Sequence, residues 1–254
     1  MITLKSKTEI EILKKGGKIL ADVLNQVKKK AVAGVTTAEL DKMAEEMILI
    51  SGGVPSFKGY GDRSNPFPAT LCISVNEQLV HGIPGDYVLK NGDIVSLDIG
   101  MRYPAKNGLY TDMATTVAVG VINKKTKQLL KVTRKALELW IKEVKPGKTI
   151  NQVSRKVQEY IEKEGFSVIR ALVGHGVGHQ VHEDPQLPNY FTPGNDIEFK
   201  EGMVLCPEPM VAIGDWRVKT ERDGWTISTC DKSLTAHYEH TIAVTKHGCT
   251  VVTE

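Results

Sequence analysis

Two short segments of the sequence repeat one pattern that ends in an acid. Lys90-Asn91-Gly92 leads through an apolar run to Asp98, and Lys200-Glu201-Gly202 leads through a similar run to Glu208. In both segments the acid follows the lysine by eight residues. Because an unpaired carboxylate is costly to bury, a strand that ends in an acid implies a compensating partner. We expect the two carboxylates to face each other across one site, with a metal ion as the partner.

Each half of the chain offers a second acid, and the second half adds an imidazole. Asp112 and Glu239 each stand where we expect a return strand to begin, so two hairpins would present two carboxylates each. His175 lies in Gly174-His175-Gly176-Val177-Gly178, where glycines leave the imidazole unshielded. Taken singly, each residue has a plainer explanation as a turn, cap or surface-loop residue. The repetition favours a shared metal site.

Together these residues form an oxygen-rich ligand set: Asp98, Asp112, His175, Glu208 and Glu239. Such a set suits Co²⁺, Mn²⁺, Fe²⁺ or Zn²⁺ better than a thiolate site would. Four negative charges exceed what one divalent ion neutralises, so we expect two ions. Two such ions can activate a water molecule and polarise a carbonyl group, which is the equipment for hydrolysis.

Helical and extended segments alternate in a way that would position these acids. Helices are predicted from the capping boxes at Ser6 and Thr36, over residues 125–144, and from Thr149 to Gly165. Strands are predicted at 94–99, 115–119, 203–210 and 240–244, with a hairpin loop at 102–108. The same order of helix, break, helix and strands occurs twice, which indicates an internal duplication. We predict an α+β fold with a central antiparallel sheet and helices on its outer face.

The duplication predicts one catalytic domain over residues 1–254, with pseudo-twofold-related halves at about 1–120 and 121–254. The net charge of +3 is too small to indicate nucleic-acid binding. Four cysteines without C-x-x-C spacing are typical of reduced thiols in a cytoplasmic protein. No apolar run approaches the length of a membrane span, and no secretion signal is evident. We expect a monomer.

Eight motifs in one order over nearly the whole chain resemble those of type I methionine aminopeptidases, metallopeptidases of the pita-bread (creatinase/aminopeptidase) fold. They are Asn76-Glu77-x-x-Val80-His81-Gly82-Ile83-Pro84, Ser96-Leu97-Asp98-Ile99-Gly100, Tyr110-Thr111-Asp112-Met113-Ala114, Gly174-His175-Gly176-Val177-Gly178, His182-Glu183-Asp184-Pro185, Glu208-Pro209-Met210, Asp223-Gly224-Trp225-Thr226 and Tyr238-Glu239-His240-Thr241. No single motif is decisive, but the set is highly specific.

The resemblance implies a role for each ligand. Asp98 would chelate one ion, Asp112 and Glu239 would bridge both ions, and His175 with Glu208 would complete the second site. Glu208 would also carry the proton from the attacking water to the leaving amine.

The resemblance also implies contacts with the substrate. His182 would contact the scissile carbonyl and stabilise the tetrahedral intermediate, and His81 would hydrogen-bond the peptide nitrogen. The candidate walls of a methionine pocket are Phe57, Tyr60, Cys72, Val181 and Trp225. Any of these five could equally be plain core. Asn76 and Thr235 would lie near a site for one monovalent cation.

Four features depart from the usual pattern of that family. Pro207 precedes Glu208 and removes a backbone donor. The hairpin loop at 102–108 looks long, and residues 62–67 look inserted beside the expected methionine pocket. Val181 stands where a bulkier aromatic residue is common, so the pocket would be roomier. These departures bear on substrate range and metal affinity rather than on the class of reaction.

The resemblance implies removal of the initiator methionine from nascent polypeptides when the second residue is small, with a transient ribosome contact. One alternative is a related Xaa-Pro aminopeptidase or prolidase. Those enzymes usually carry an additional N-terminal domain, for which a first helix starting by Ser6 leaves no room. The other alternative is a non-catalytic relative that binds peptides or ribosomes. We would expect such a protein to have lost ligands, and all five are present here.

Overall fold

The computed structural model describes residues 2–254 and contains four long helices. They are α1 Lys7–Lys30, α2 Thr37–Ile50, α3 Lys124–Glu143 and α4 Ile150–Lys163. Capping boxes begin three of them, with Ser6, Thr36 and Thr149 as N-caps. The four helices expected from capping and apolar periodicity are confirmed.

The strands are short apart from one hairpin, and every recorded pairing is antiparallel. They are β1 Val54–Pro55, β2 Leu71–Val75, β3 Gln78–Val80, β4 Ile94–Tyr103, β5 Leu109–Ala118, β6 Ser167–Val168, β7 Gly174–Gly176, β8 Glu183–Leu187, β9 Val204–Cys206, β10 Met210–Ala212, β11 Val218–Thr220, β12 Ile227–Thr229, β13 Thr235–His237, β14 Glu239–His240, β15 Ile242–Val244 and β16 Cys249–Val251. Hydrogen bonds group them into four sheets, of which the two larger ones are β1-β4-β5-β14 with β2 beside β4, and β16-β15-β9-β7-β8.

The hairpin of β4 and β5 is longer than its sequence suggests. Asp98 lies in the middle of β4, paired with Ala114, and Asp112 is the fourth residue of β5, paired with Gly100. Placing Asp98 at a strand end and Asp112 at a strand start was therefore wrong. An acid interrupts the apolar run in the sequence, but the backbone ladder continues through it. The connecting turn is accordingly confined to residues 104–108.

The two faces of this hairpin have different surroundings. Leu97, Ile99 and Met101 alternate with Asp98 along β4 and pack into a core with helices α1 and α2. Because successive side chains of a strand point to opposite faces, Asp98 points away from the helices. The helices thus cover the outer face of the sheet and leave the acids on its inner face.

A second core joins α3 and α4 to the sheet that contains β9 and β15. It includes Trp140 from α3, Val157 from α4, and Leu205 and Ile242 from the sheet. The Trp140 indole N–H donates to Asn189 Oδ1 at 2.8 Å, which satisfies the only polar atom of that buried side chain. Both halves of the chain thus place two helices before their acids. The internal duplication itself stays a prediction.

One glycine in α1 is required by close packing. A Cβ atom added to Gly17 would lie 2.2 Å from the carbonyl oxygen of Val252. The glycine therefore lets α1 approach the C-terminal segment more closely than any other residue would. None of the helices within residues 2–254 is both long and apolar enough to cross a membrane.

Candidate metal centre

Three adjacent strands bring three carboxylates together on one face. Asp98 of β4 and Glu239 of β14 both pair with Ala114 of β5, so they flank that small residue in a single row. Asp112 lies two residues along β5 from Ala114 and therefore points the same way. One oxygen each from Asp98, Asp112 and Glu239 lies within 4.8 Å of the others. The methyl side chain of Ala114 leaves space between them.

The second large sheet contributes the imidazole and the fourth acid. His175 of β7 pairs with Cys206 of β9, and Glu208 follows β9. His175 Nε2 lies 3.8 Å from Glu208 Oε1 and 3.9 Å from Glu239 Oε1. The five predicted ligands therefore lie close together. Glu239 is near both Asp98 and Asp112 on one side and His175 on the other.

The tautomer of His175 follows from its backbone contact. Its Nδ1 lies 2.8 Å from the carbonyl oxygen of Gly176, and a carbonyl oxygen only accepts hydrogen bonds. Nδ1 therefore carries the proton, and the lone pair of Nε2 faces the carboxylates. Burial lowers the pKa of His175 to about 3, so the ring is neutral at pH 7. A neutral imidazole held through its other nitrogen is the form that binds metals.

Burial also dominates the electrostatics of the acids. It raises the pKa of Asp98 to about 6. Burial, reinforced by the neighbouring carboxylates, raises the pKa values of Asp112, Glu208 and Glu239 well above their ordinary range. In the absence of a cation, water removal and mutual repulsion thus disfavour the ionised forms.

Divalent cations fit this set of donors. Asp98 Oδ1, Asp112 Oδ1 and Glu239 Oε1 are buried and accept no hydrogen bond. Within residues 2–254 no lysine or arginine forms an ion pair with the four acids. Glu208 and Glu239 contact His175 and His237, while Asp98 and Asp112 hydrogen-bond each other. Buried acceptors of this kind are otherwise almost always satisfied. The donor chemistry is compatible with Mn²⁺, Fe²⁺, Co²⁺ and Zn²⁺.

Two residues at this centre were missed from the sequence. His237 Nε2 lies 3.1 Å from Glu208 Oε2 and 3.9 Å from Glu239 Oε2. Cys206 Sγ groups with one atom each of His175 and Glu239 within 4.8 Å. Each missed residue stands two positions before a predicted acid, His237 before Glu239 and Cys206 before Glu208. The period of two in extended chains was the signal that could have found them.

The two predicted substrate-binding histidines lie beside the carboxylates. The ring of His182 lies edge-on to that of His175 with centroids 4.4 Å apart, and its Nδ1 lies 2.7 Å from the Tyr60 hydroxyl. Burial, reinforced by the nearby imidazoles of His237 and His182, lowers the pKa of His81 to about 4. The centroid of the His81 ring lies 6.3 Å from that of Trp225. Both histidines thus line the same cavity as the acids.

That cavity has a volume of about 730 Å³ and an apolar side. Phe57, Cys72 and Val181 form a buried cluster with Phe67, and Trp225 packs against it. Phe57, Cys72 and Trp225 line the cavity, as does Tyr60, which contacts His182. Val181, the fifth predicted pocket residue, packs in the cluster but lines a second cavity beside Tyr60 instead.

Phe67 was missed, because residues 62–67 looked only like an insertion. Its ring meets that of Trp225 edge-on with centroids 5.3 Å apart, and the Trp225 indole N–H donates to Asn65 O at 3.0 Å. This segment therefore supplies part of the pocket wall.

Three oxygen atoms meet where a monovalent cation was expected. Thr235 Oγ1 lies 3.2 Å from Asn76 O and 3.0 Å from Gln78 O. The structure thus brings Asn76 and Thr235 together. Pro207 lies between the end of β9 and Glu208, a place where its missing N–H breaks no ladder hydrogen bond.

Solved structures share this architecture. A methionine aminopeptidase from Thermotoga maritima superimposes with a TM-score of 0.95 at 46% identity, covering 100% of both chains. A prolidase from Pyrococcus furiosus superimposes with a TM-score of 0.79 at 24% identity, covering 99% of this chain but 65% of that one. The prolidase shares the fold alone. The pita-bread fold and the antiparallel α+β architecture are confirmed.

Sequence comparison agrees over the full length. A methionine aminopeptidase from Clostridium perfringens is 47% identical over 254 residues, covering 100% of this chain and 99% of that protein. The model of metallopeptidase family M24 matches residues 11–246. The resemblance found in the motifs is thereby confirmed. The chain belongs to metallopeptidase family M24, and its full-length likeness places it among the methionine aminopeptidases of that family.

Proposed function

We propose that the protein hydrolyses the first peptide bond of chains that begin with methionine, and so removes the initiator methionine from nascent proteins. One observation carries the proposal: an oxygen-rich centre with a neutral imidazole lines the same cavity as an apolar cluster. The full-length likeness to the Clostridium perfringens methionine aminopeptidase supports it. A small second residue is the preferred one.

Two divalent ions are proposed as cofactors. Asp98 would hold one ion, His175 and Glu208 the other, and Asp112 with Glu239 would contact both. When bound, such ions polarise the scissile carbonyl and make water a better nucleophile at neutral pH. Co²⁺, Mn²⁺, Fe²⁺ and Zn²⁺ are all compatible with these ligands.

Glu208 is the proposed proton carrier. All four acids line the cavity, and Glu208 is the most exposed of them, with 12% of its side chain exposed. Its carboxylate would accept a proton from the attacking water and deliver it to the nitrogen of the leaving amine, which completes cleavage of the C–N bond. Its Oε2, 3.1 Å from His237 Nε2, gives the carboxylate a second contact that limits its rotation.

His182 is proposed to donate a hydrogen bond to the carbonyl oxygen as negative charge develops there. If the Tyr60 hydroxyl donates to Nδ1 of His182, from which it is 2.7 Å away, the proton of the neutral ring is on Nε2. That nitrogen is then the donor for the oxyanion, an interaction that strengthens in the transition state. His81 would hydrogen-bond the peptide nitrogen on the leaving side.

The methionine side chain would occupy the apolar side of the cavity. Aromatic rings and a thiol are favourable neighbours for a thioether. Phe57, Cys72 and Trp225 are the proposed walls, with Phe67 added, and Val181 is proposed to support them from within the cluster. Tyr60 lines the cavity and is proposed to donate its hydrogen bond to His182.

The proposed partners are the N-termini of nascent polypeptides, reached through a transient contact with the ribosome. The protein would act in the cytoplasm as a monomer, in keeping with its four free thiols. We propose one catalytic domain built from two duplicated halves, and one monovalent cation near Asn76 and Thr235.

Hydrolysis of a small peptide panel tests the function. Met-Ala-Ser, Met-Leu-Ser and Met-Pro-Ser differ only in the second residue and would be compared at equal metal loading. Fast cleavage of the alanine peptide with slow cleavage of the leucine peptide is expected. Selective cleavage before proline would favour an Xaa-Pro peptidase, and no cleavage of any peptide by folded, metal-loaded protein would favour a non-catalytic relative.

A further inference from the structure

A buried ion pair lies directly beside His182 and has no part in the mechanism above. Lys5 Nζ contacts Glu183 Oε2, and the two side chains are only 1% and 8% exposed. Lysine is almost never buried to this extent unless it is paired. A pair of this kind is weak evidence for stability alone, because removing both ions from water offsets much of their attraction. Because stability alone does not explain the pair, its position next to the proposed substrate-binding residue His182 suggests a role in the active site.

Glu183 uses both carboxylate oxygens to join two segments of chain. Oε2 accepts from Lys5 Nζ and, at 2.6 Å, from Thr3 Oγ1, which belong to residues 2–5, here called the N-terminal strap. Oε1 accepts from the backbone N–H groups of His179 at 2.6 Å and Gln180 at 2.9 Å. Those two residues belong to residues 177–182, here called the His182 loop, which ends where Glu183 begins β8. One carboxylate thus ties the strap to the loop.

The strap is itself fixed at a second point. The Lys5 backbone N–H donates to Gly202 O at 2.7 Å, in the turn that leads through β9 to Glu208. The Lys5 side chain then passes beneath the loop at Gly178, where an added Cβ atom would lie 2.5 Å from Lys5 Cε. Gly178 also has φ +139°, a conformation that favours glycine. The absence of a side chain at Gly178 thus leaves room for Lys5 to reach Glu183.

We propose that Lys5 and Glu183 are positioning residues, which hold the His182 loop so that His182 meets the substrate carbonyl in the correct place. This inference rests on the proposed function, since it assumes that His182 acts at the carbonyl. Thr3 and Glu183 also line the cavity. The N-terminal strap is therefore part of the active-site wall.

Lys5→Met, measured on Met-Ala-Ser, tests the proposal. Small displacements of a catalytic group are costly, so kcat should fall between about ten- and a hundredfold, with KM and bound metal nearly unchanged. The decisive readout is the double variant with His182→Ala. Because the pair acts through His182, Lys5→Met should lower kcat no further in that background.

Glu9, in the first turn of α1, contacts the same loop and provides a matched control. Glu9 Oε1 lies 2.6 Å from His179 Nε2, and the two side chains are 31% and 43% exposed. Glu9→Gln removes the negative charge, and glutamine can still form the capping box at the start of α1. Exposed pairs contribute little, so kcat should change by less than about twofold.

An unchanged kcat in Lys5→Met, or an equal fall in the His182→Ala background, would overturn the proposal. If Lys5→Met does not fold, Thr3→Val replaces it as the test variant. It removes one hydrogen-bond donor to Glu183 and keeps the ion pair, and about a fivefold fall in kcat is then expected.

If the wild type fails to cleave Met-Ala-Ser, the proposed function fails, but the positioning role can still be tested. The positioning role is then tested by the ¹⁵N imidazole resonances of His182. Thr3→Val should shift these resonances and Glu9→Gln should not. Unshifted resonances in Thr3→Val would contradict the positioning role.

Discussion

The hydroxyl of Tyr60 lies 2.7 Å from Nδ1 of His182. We expect Tyr60→Phe to leave the fold and metal content intact and to lower kcat on Met-Ala-Ser. Losing one hydrogen bond worth about 1 kcal/mol corresponds to about a fivefold fall. Tyr87→Phe is the control, because its hydroxyl donates instead to Asp93 Oδ2 at 3.0 Å. Equal kcat values for the two variants would remove Tyr60 from the mechanism.

Asp112 and Glu239 lie on adjacent strands in contact with the same centre. Asp112→Asn and Glu239→Gln preserve size and remove the charge, so each should weaken metal binding and lower turnover by at least about a hundredfold. Circular dichroism should show an unchanged fold. Metal analysis by mass spectrometry gives the second readout, and normal metal content with normal turnover in either variant would contradict a shared role.

The acids make the stability of metal-free protein depend on pH. Burial raises their pKa values, so the folded state holds protons that the unfolded state has released, and the free energy of unfolding falls as pH rises. His175 opposes this trend only below its ordinary value of 6.5, because burial lowers its folded pKa to about 3. Between about pH 6.5 and 8 we therefore expect a loss of about 1 kcal/mol per pH unit for each carboxyl that stays protonated.

Urea unfolding of chelator-treated protein across that pH range measures the slope. Asp112→Asn should make it shallower, because one of the raised groups is gone. Mn²⁺ should raise the stability most at the higher pH, where the ion competes with fewer protons. A flat profile for the stripped wild type would argue against a buried cluster of four acids.

Phe67 is 2% exposed and packs in the apolar cluster of the cavity. Phe67→Leu should enlarge the pocket and lower the ratio of kcat/KM for Met-Ala-Ser over Phe-Ala-Ser by about tenfold. Phe199→Leu is matched in size and burial, at 1% exposed, but lies in the core of α3 and α4. It should change stability and leave the ratio unaltered. If both variants change the ratio alike, Phe67 is ordinary core.

The helix starts could be predicted from sequence because a capping box such as Thr36 with Glu39 is a local contact, three residues apart. The five candidate ligands, which the structure brings together, could be identified because their types and repeated spacing are unusual. The extent of the β4–β5 hairpin could not, because pairing between strands, rather than the acid within the run, determines where a strand ends. Contacts such as Tyr60 with His182, 122 residues apart in the chain, leave no local pattern. Phe67 could not be predicted as a pocket residue for the same reason, because its contact with Trp225 joins residues that are far apart in the chain.

The most direct test of the metal centre is turnover of Met-Ala-Ser by chelator-stripped protein as Mn²⁺ is added back. The stripped protein should be folded and inactive, and activity should return as the ions bind, with two ions per chain at saturation. Full activity in demonstrably metal-free protein would contradict the central claim, as would a folded protein that binds no Mn²⁺.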